Sequence, residues 1–265
     1  MNHDLGRAPR VTDRANAVIA DVGILSNTYL LALADGSMPL DHFRVSQEQF
    51  GFAVTYFARP MAVLVSRIAD PGDRVGILRN IVEEHGDFRT EAFHHATFRQ
   101  FLASIGSDDA EHLDSLIPGS AVTAFNSVLA GVCAADDLVV GVCCMGVIEH
   151  AFAQISASIG RSVVERGWVP RDKLVHYTLH AEIDERHAED FFVLAESLYD
   201  DPQNRNHIDQ GLRLGGYVFN RLYTDLDTHQ SPTGHPTARS GKDTPTFMSA
   251  GDYPPRAATP AASQP

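Results

Sequence analysis

The stretch "LHAEIDERHAEDFF", residues 179–192, places His180, Asp184 and His187 at successive intervals of four and three. At the period of an α-helix these intervals put two imidazoles and a carboxylate on one face. Followed along the helix, the stripe reads Tyr177, His180, Asp184, His187, Phe191, Leu194 and Leu198, so the polar triplet occupies the line that faces the core. Glu182, Glu185, Arg186, Glu189 and Asp190 already supply a solvated face. A carboxylate buried without a partner is costly, so the triplet calls for matching groups from other helices or for a cation.

Working outward, the chain offers such groups. Glu149 follows Val142 and Met145 on one stripe, at the end of an uncharged stretch from Leu138 to Ile148. In "DRVGILRNIVEEHGDF", residues 73–88, Glu84 lies seven after Ile77 and three after Ile81, which turns it inward. Glu83, four after Arg79 and three after Asn80, turns outward. In "TEAFHHATFRQFLASIG", residues 90–106, His94 and His95 can each join the apolar line through Phe98, and the pattern alone does not separate them. Three carboxylates and three histidines without a thiolate suit two iron or manganese ions inside a helical bundle. The paired Glu-x-x-His motifs of ferritin-like bundles are absent, so a different helical scaffold is required.

The rest of the chain is consistent with one helical body. Among 265 residues, 44% are hydrophobic, apolar residues recur every three or four positions, and no run alternates with period two. Helices are expected over 12–34, 39–70, 73–85, 91–105, 120–132, 137–159, 170–199 and 204–226, separated by breaks rich in Gly, Pro and Asp. The fold class is all-α, a bundle of seven to eight helices spanning residues 1–228. Residues 229–265, rich in Pro, Ser, Thr and Ala, are expected to form a disordered tail. A net charge of −13 with no basic block excludes nucleic acid as a partner. The longest apolar run, residues 138–148, is too short to span a bilayer, and no signal peptide opens the chain. Cys133, Cys143 and Cys144 have no pairing or metal-binding spacing, so reduced thiols and a cytoplasmic location are expected.

The order Glu84, a histidine at the head of "HATFRQFLASIG", Glu149, and then "HAEIDERH" as His-x-x-x-Asp-x-x-His resembles the heme-oxygenase-like diiron oxidase and oxygenase family. The likeness covers roughly residues 15 to 225, with "LADGSMPLDHFR" and "LRNIVEEHG" as supporting context. It implies a heme-oxygenase-like bundle, related in fold to thiaminase-like and PQQ-synthesis proteins. It also implies two ferrous ions held by Glu84, His95, Glu149, His180, Asp184 and His187, His95 being preferred to His94 because the family's histidine leads an H-x-x-F-x-x-F-L pattern. Glu149 is the implied bridging carboxylate and catalytic residue. Dioxygen is the implied co-substrate, acting through a peroxo-diferric intermediate. Some members carry a further acidic ligand on the second helix, where this chain has Thr55 and Tyr56, so no seventh ligand is assigned. Substrates diverge widely within the family, and fold-level analogy does not name one.

Arg59 is the only charge in "FGFAVTYFARPMAVLVS", residues 50–66. Facing the cavity it would clamp a substrate carboxylate, with Tyr56 and Tyr177 lining the same space. On this reading the substrate is an amino acid or a similar small carboxylate of natural-product metabolism, and an external electron donor and a homodimer are compatible with it. Three readings compete, one of them a noncatalytic metal-binding or partner-binding bundle. Another is a fatty-acid-oxidising member of the family. The third is a metal-free, thiaminase-like hydrolase that uses Cys143 or Cys144 with a glutamate.

Overall fold

The computed structural model describes residues 10–107 and 110–228, and helix is the only regular structure among them, as the sequence predicts. Its centre is the helix we label α9, Leu138–Glu165. Nearly its whole circumference from Val140 to Ala153 is buried, because the sequence there is apolar or small on every side. At 28 residues α9 is long and apolar enough to cross a membrane, but 78% of its most apolar window is buried inside the fold, which makes it the core helix.

Two long helices pack along α9: α10, His176–Glu196, and α11, Pro202–Thr228. Both approaches depend on glycine. Phe191 and Phe192 of α10 lie over Gly146, where a Cβ would come within 2.7 Å of the Phe192 ring. On the other side, Gly211 and Gly215 of α11 rest on the backbone of Val140 and Cys144, so close that a Cβ at either position would collide with a carbonyl oxygen.

The N-terminal half wraps this core. The helix expected over 12–34 is broken into α1, Arg10–Val22, and α2, Thr28–Asp35, which meet at a bend of 52°. Gly23 takes a left-handed φ of 70°, and Asn27 accepts from the Tyr29 amide to start α2. The helix expected over 39–70 is also split, into α3, Leu40–Tyr56, and α4, Ala58–Arg67. Pro60 has no amide to offer the Tyr56 carbonyl, and the break falls there. Then follow α5, Val75–Glu84, and α6, His94–Ser104. The helix α7, Ala110–Ser115, stands in a stretch read from sequence as connection, and α8, Ser120–Ala135, packs on α9 and α4. The segment from His229 onward, read as a disordered tail, lies outside the described residues.

Candidate metal centre

Four helices deliver acidic and imidazole side chains to one place inside the bundle. From α10, His180, Asp184 and His187 are all buried, as their shared stripe requires. His180 Nδ1 lies 2.9 Å from Asp184 Oδ1, and His187 Nδ1 lies 3.6 Å from the same oxygen. Glu149, buried on α9, brings Oε1 to 3.8 Å from His187 Nδ1 and accepts from Asn80 Nδ2 at 3.1 Å. Glu84, in the last turn of α5, completes a group with Glu149 and His187 whose donor atoms lie within 4.8 Å of one another.

The connection after Glu84 is tight. Gly86, Asp87 and Phe88 all take left-handed φ values, 55°, 52° and 66°. A Cβ on Gly86 would strike the Ala92 backbone, so glycine is required there, whereas Asp87 and Phe88 hold this conformation at a steric cost. The reversal starts α6 beside the end of α5 and sets His94 Nδ1 2.9 Å from Glu84 Oε1. The His94 ring also packs edge-on against His180, with centroids 4.5 Å apart.

This corrects the choice between the two histidines. His95 is exposed and packs on Phe93, whereas His94 is buried in the cluster. The buried face of α6 runs through His94, Thr97, Phe98 and Phe101, and it starts one residue before the H-x-x-F-x-x-F-L pattern that favoured His95. Of the six residues expected, the structure therefore brings together Glu84, Glu149, His180, Asp184 and His187, and it replaces His95 by His94.

The electrostatics of the group are those of a site built around a cation. Burial pushes the Glu149 and Asp184 carboxyls well above the usual range, and repulsion from neighbouring carboxylates, Asp184 and Glu84 for the first and Glu84 for the second, raises them further. Burial acts on Glu84 too, but the adjoining His94, with His180 and His187, outweighs it and holds the group low. Burial drops the His180 imidazole to about 4 and lowers His187 as well, so both are neutral. His180 Nε2 and His187 Nδ1 are buried without a hydrogen-bond partner.

Two further residues of the site escaped the sequence reading. Asn80, taken with the outward face of α5, is fully buried and holds Glu149. His176, four before His180, is also fully buried, with its ring centroid 4.4 Å from that of His180 and Nδ1 3.1 Å from Thr97 Oγ1. Its interval to His180 was the available signal, and the count had started instead at Tyr177.

Beside Glu84, Glu149 and His180 lies a small cavity of about 40 Å³. Its other walls are Phe50, Ala53, Val54 and Phe57 from the α3–α4 region, Phe125 from α8, Ile148 and Phe152 from α9, and Phe219 from α11. None of the three residues expected to bind substrate lines it. Arg59 is exposed, its guanidinium 5.5 Å from the Tyr56 ring centre, and both belong to a separate surface groove beside α8. Pro60, which splits the helix, places Arg59 in the first turn of α4 on its outer side. Tyr177 is buried among Phe98, Phe101 and Phe152, and its hydroxyl donates to Gln47 Oε1.

The sequence profile of a family described as iron-containing redox enzymes matches residues 46–215, which hold every residue of the cluster. The chain belongs to this family of iron-containing redox enzymes. No curated protein matches it significantly in sequence. Solved structures share its heme-oxygenase-like fold. A domain of unknown function with that fold from Shewanella denitrificans OS217 aligns with a TM-score of 0.66 at 15% identity, covering 84% of this chain and 93% of the other. A TenA homologue from Pseudomonas syringae pv. tomato DC3000 aligns with a TM-score of 0.65 at 17% identity, covering 82% and 90%. A CADD-like protein of unknown function from Nostoc punctiforme PCC 73102 aligns with a TM-score of 0.66 at 13% identity, covering 82% and 95%.

For an iron-containing redox enzyme the donor set is apt. Carboxylate oxygens and imidazole nitrogens suit iron, and four buried imidazole nitrogens here, His94 Nδ1, His176 Nε2, His180 Nε2 and His187 Nδ1, have no hydrogen-bond partner. The thiols do not compete for the role. Cys143 and Cys144 are fully buried, neither lines the cavity, and burial pushes both thiols up from their ordinary range.

Proposed function

We propose that this iron-containing redox enzyme is a non-heme diiron oxidase or oxygenase that uses dioxygen on a substrate whose reacting part is apolar. The observation that carries the reading is the juxtaposition of the buried carboxylate and imidazole cluster with a cavity walled by phenylalanine and aliphatic side chains. Glu84, His94, Glu149, His180, Asp184 and His187 would hold the metal. Two ferrous ions bound there would supply electrons for the activation of dioxygen.

The chain's own groups do the remaining work. Asn80 fixes one oxygen of Glu149, which with Glu84 and His187 would hold metal. Phe50, Phe57, Phe125, Phe152 and Phe219 exclude water and hold an aliphatic or aromatic group of the substrate against Glu84 and Glu149. Among the described residues, no lysine or arginine lines this cavity. If the substrate carries an amino-acid-like carboxylate, that group is therefore recognised at the cluster itself, not by Arg59.

The test is to load the full chain with ferrous iron without oxygen, admit dioxygen with a panel of small carboxylates of increasing apolar bulk, and follow oxygen uptake. Substrate-dependent uptake that fails in Glu149→Ala is expected. Equal turnover by chelator-treated protein would overturn the reading.

A further inference from the structure

We propose that Glu83, clamped by Arg186, is a positioning residue that holds His187 as an Nδ1 donor to the metal centre. The inference rests on the metal centre proposed above, and it concerns a glutamate that the helical pattern alone turns outward. Glu83 and Glu84 are consecutive at the end of α5, and they address opposite edges of the same site. Glu84 belongs to the cluster, while Glu83 reaches round the far edge of the His187 ring, where its Oε2 lies 2.8 Å from Nε2.

That contact decides the tautomer. Both oxygens of Glu83 accept from the Arg186 fork, and Oε2 also faces the His187 ring nitrogen, so Glu83 stands there as an acceptor. Nε2 of His187 must then be the N–H, and in the neutral ring the lone pair falls on Nδ1. Nδ1 is the nitrogen that is buried, unpartnered, 3.6 Å from Asp184 Oδ1 and 3.8 Å from Glu149 Oε1. Arg186 keeps Glu83 in place with a two-pronged contact, Nη1 to Oε1 at 3.0 Å and Nη2 to Oε2 at 2.6 Å. A carboxylate behind a ligating imidazole fixes its orientation and raises its basicity. An exposed arginine–glutamate pair that only tied α5 to α10 would contribute little to stability and would leave the tautomer alone.

The experiment has two readouts, both on the full chain. Long-range proton–nitrogen spectra of the metal-free, ¹⁵N-labelled protein report the His187 tautomer, with His187→Gln assigning the signal. Competition against a chelator reports ferrous iron affinity. Wild type is expected to show Nε2 protonated and Nδ1 free. Glu83→Ala should lose the single tautomer and bind the weaker-held iron about 10- to 100-fold less tightly. Glu83→Gln, which keeps an acceptor oxygen, should recover the tautomer and most of the affinity. Wild-type affinity and an unchanged tautomer in Glu83→Ala would overturn the role of Glu83 alone. Wild-type protein that takes up no ferrous iron would instead overturn the metal centre.

Discussion

Gly215 of α11 lies against the Cys144 carbonyl of α9 with no room for a side chain between them, and Gly211 meets the Val140 carbonyl one turn earlier in the same way. The two helices thus cross at backbone contact, and the obstacle at each glycine is main chain that no side-chain rotation can clear. Gly215→Val should destabilise the fold by roughly 3 kcal/mol or more, at the upper end for overpacking. Gly131, where a Cβ meets nothing within 4 Å, is the control, and Gly131→Ala should leave the melting temperature unchanged or slightly raised. Thermal unfolding of the two variants checks both.

The cavity predicts a separation between substrate and metal. Ala53 is a buried small residue on its wall, and it contacts the space without belonging to the cluster. Ala53→Val should fill much of this small space, shift acceptance toward smaller substrates and leave iron content near wild type. Arg59→Leu, on the separate groove, should change neither. Oxygen uptake across the carboxylate panel and metal analysis of the same preparations read these outcomes.

A third prediction concerns pH. The Glu149 and Asp184 carboxyls are raised in the metal-free fold, so their contribution to stability is present below the unfolded carboxyl range and lost as pH rises through the raised folded values. His180 is lowered to about 4, so its contribution is present above the unfolded histidine value of about 6.5 and lost as pH falls between the two. Metal binding requires all of these groups deprotonated and relieves the repulsion among the carboxylates. The gap in melting temperature between iron-loaded and metal-free protein should therefore widen steadily from about pH 5 to about pH 8. A gap that narrows over that range would contradict it.

The helical class, and five of the six clustered residues, could be read from intervals of three and four because those residues share stripes with apolar neighbours. His94 also lies on such a stripe, four before Phe98 and seven before Phe101, but the H-x-x-F-x-x-F-L pattern of the resemblance begins at its exposed neighbour His95 and favoured the wrong residue of the two. Breaks within long apolar blocks were also hidden. The sequence from Asp13 to Ala34 keeps its periodicity across Gly23, but a left-handed φ at one residue redirects the chain. Arg59 misled for a related reason: a lone charge in an apolar segment suggests burial, yet the interruption at Pro60 turns it outward. The contact of Glu83 with His187 lies beyond periodicity altogether, because it joins residues 104 positions apart.

The most direct measurement is the iron content of the full chain after anaerobic reconstitution and removal of loosely held metal. The account predicts about two ferrous ions per chain, with His180→Ala, Asp184→Ala and His94→Ala each losing most of the bound iron while His95→Ala keeps it, all with helical content preserved. Wild-type protein that holds no iron, or an His94→Ala variant that holds as much as wild type while His95→Ala does not, would contradict it.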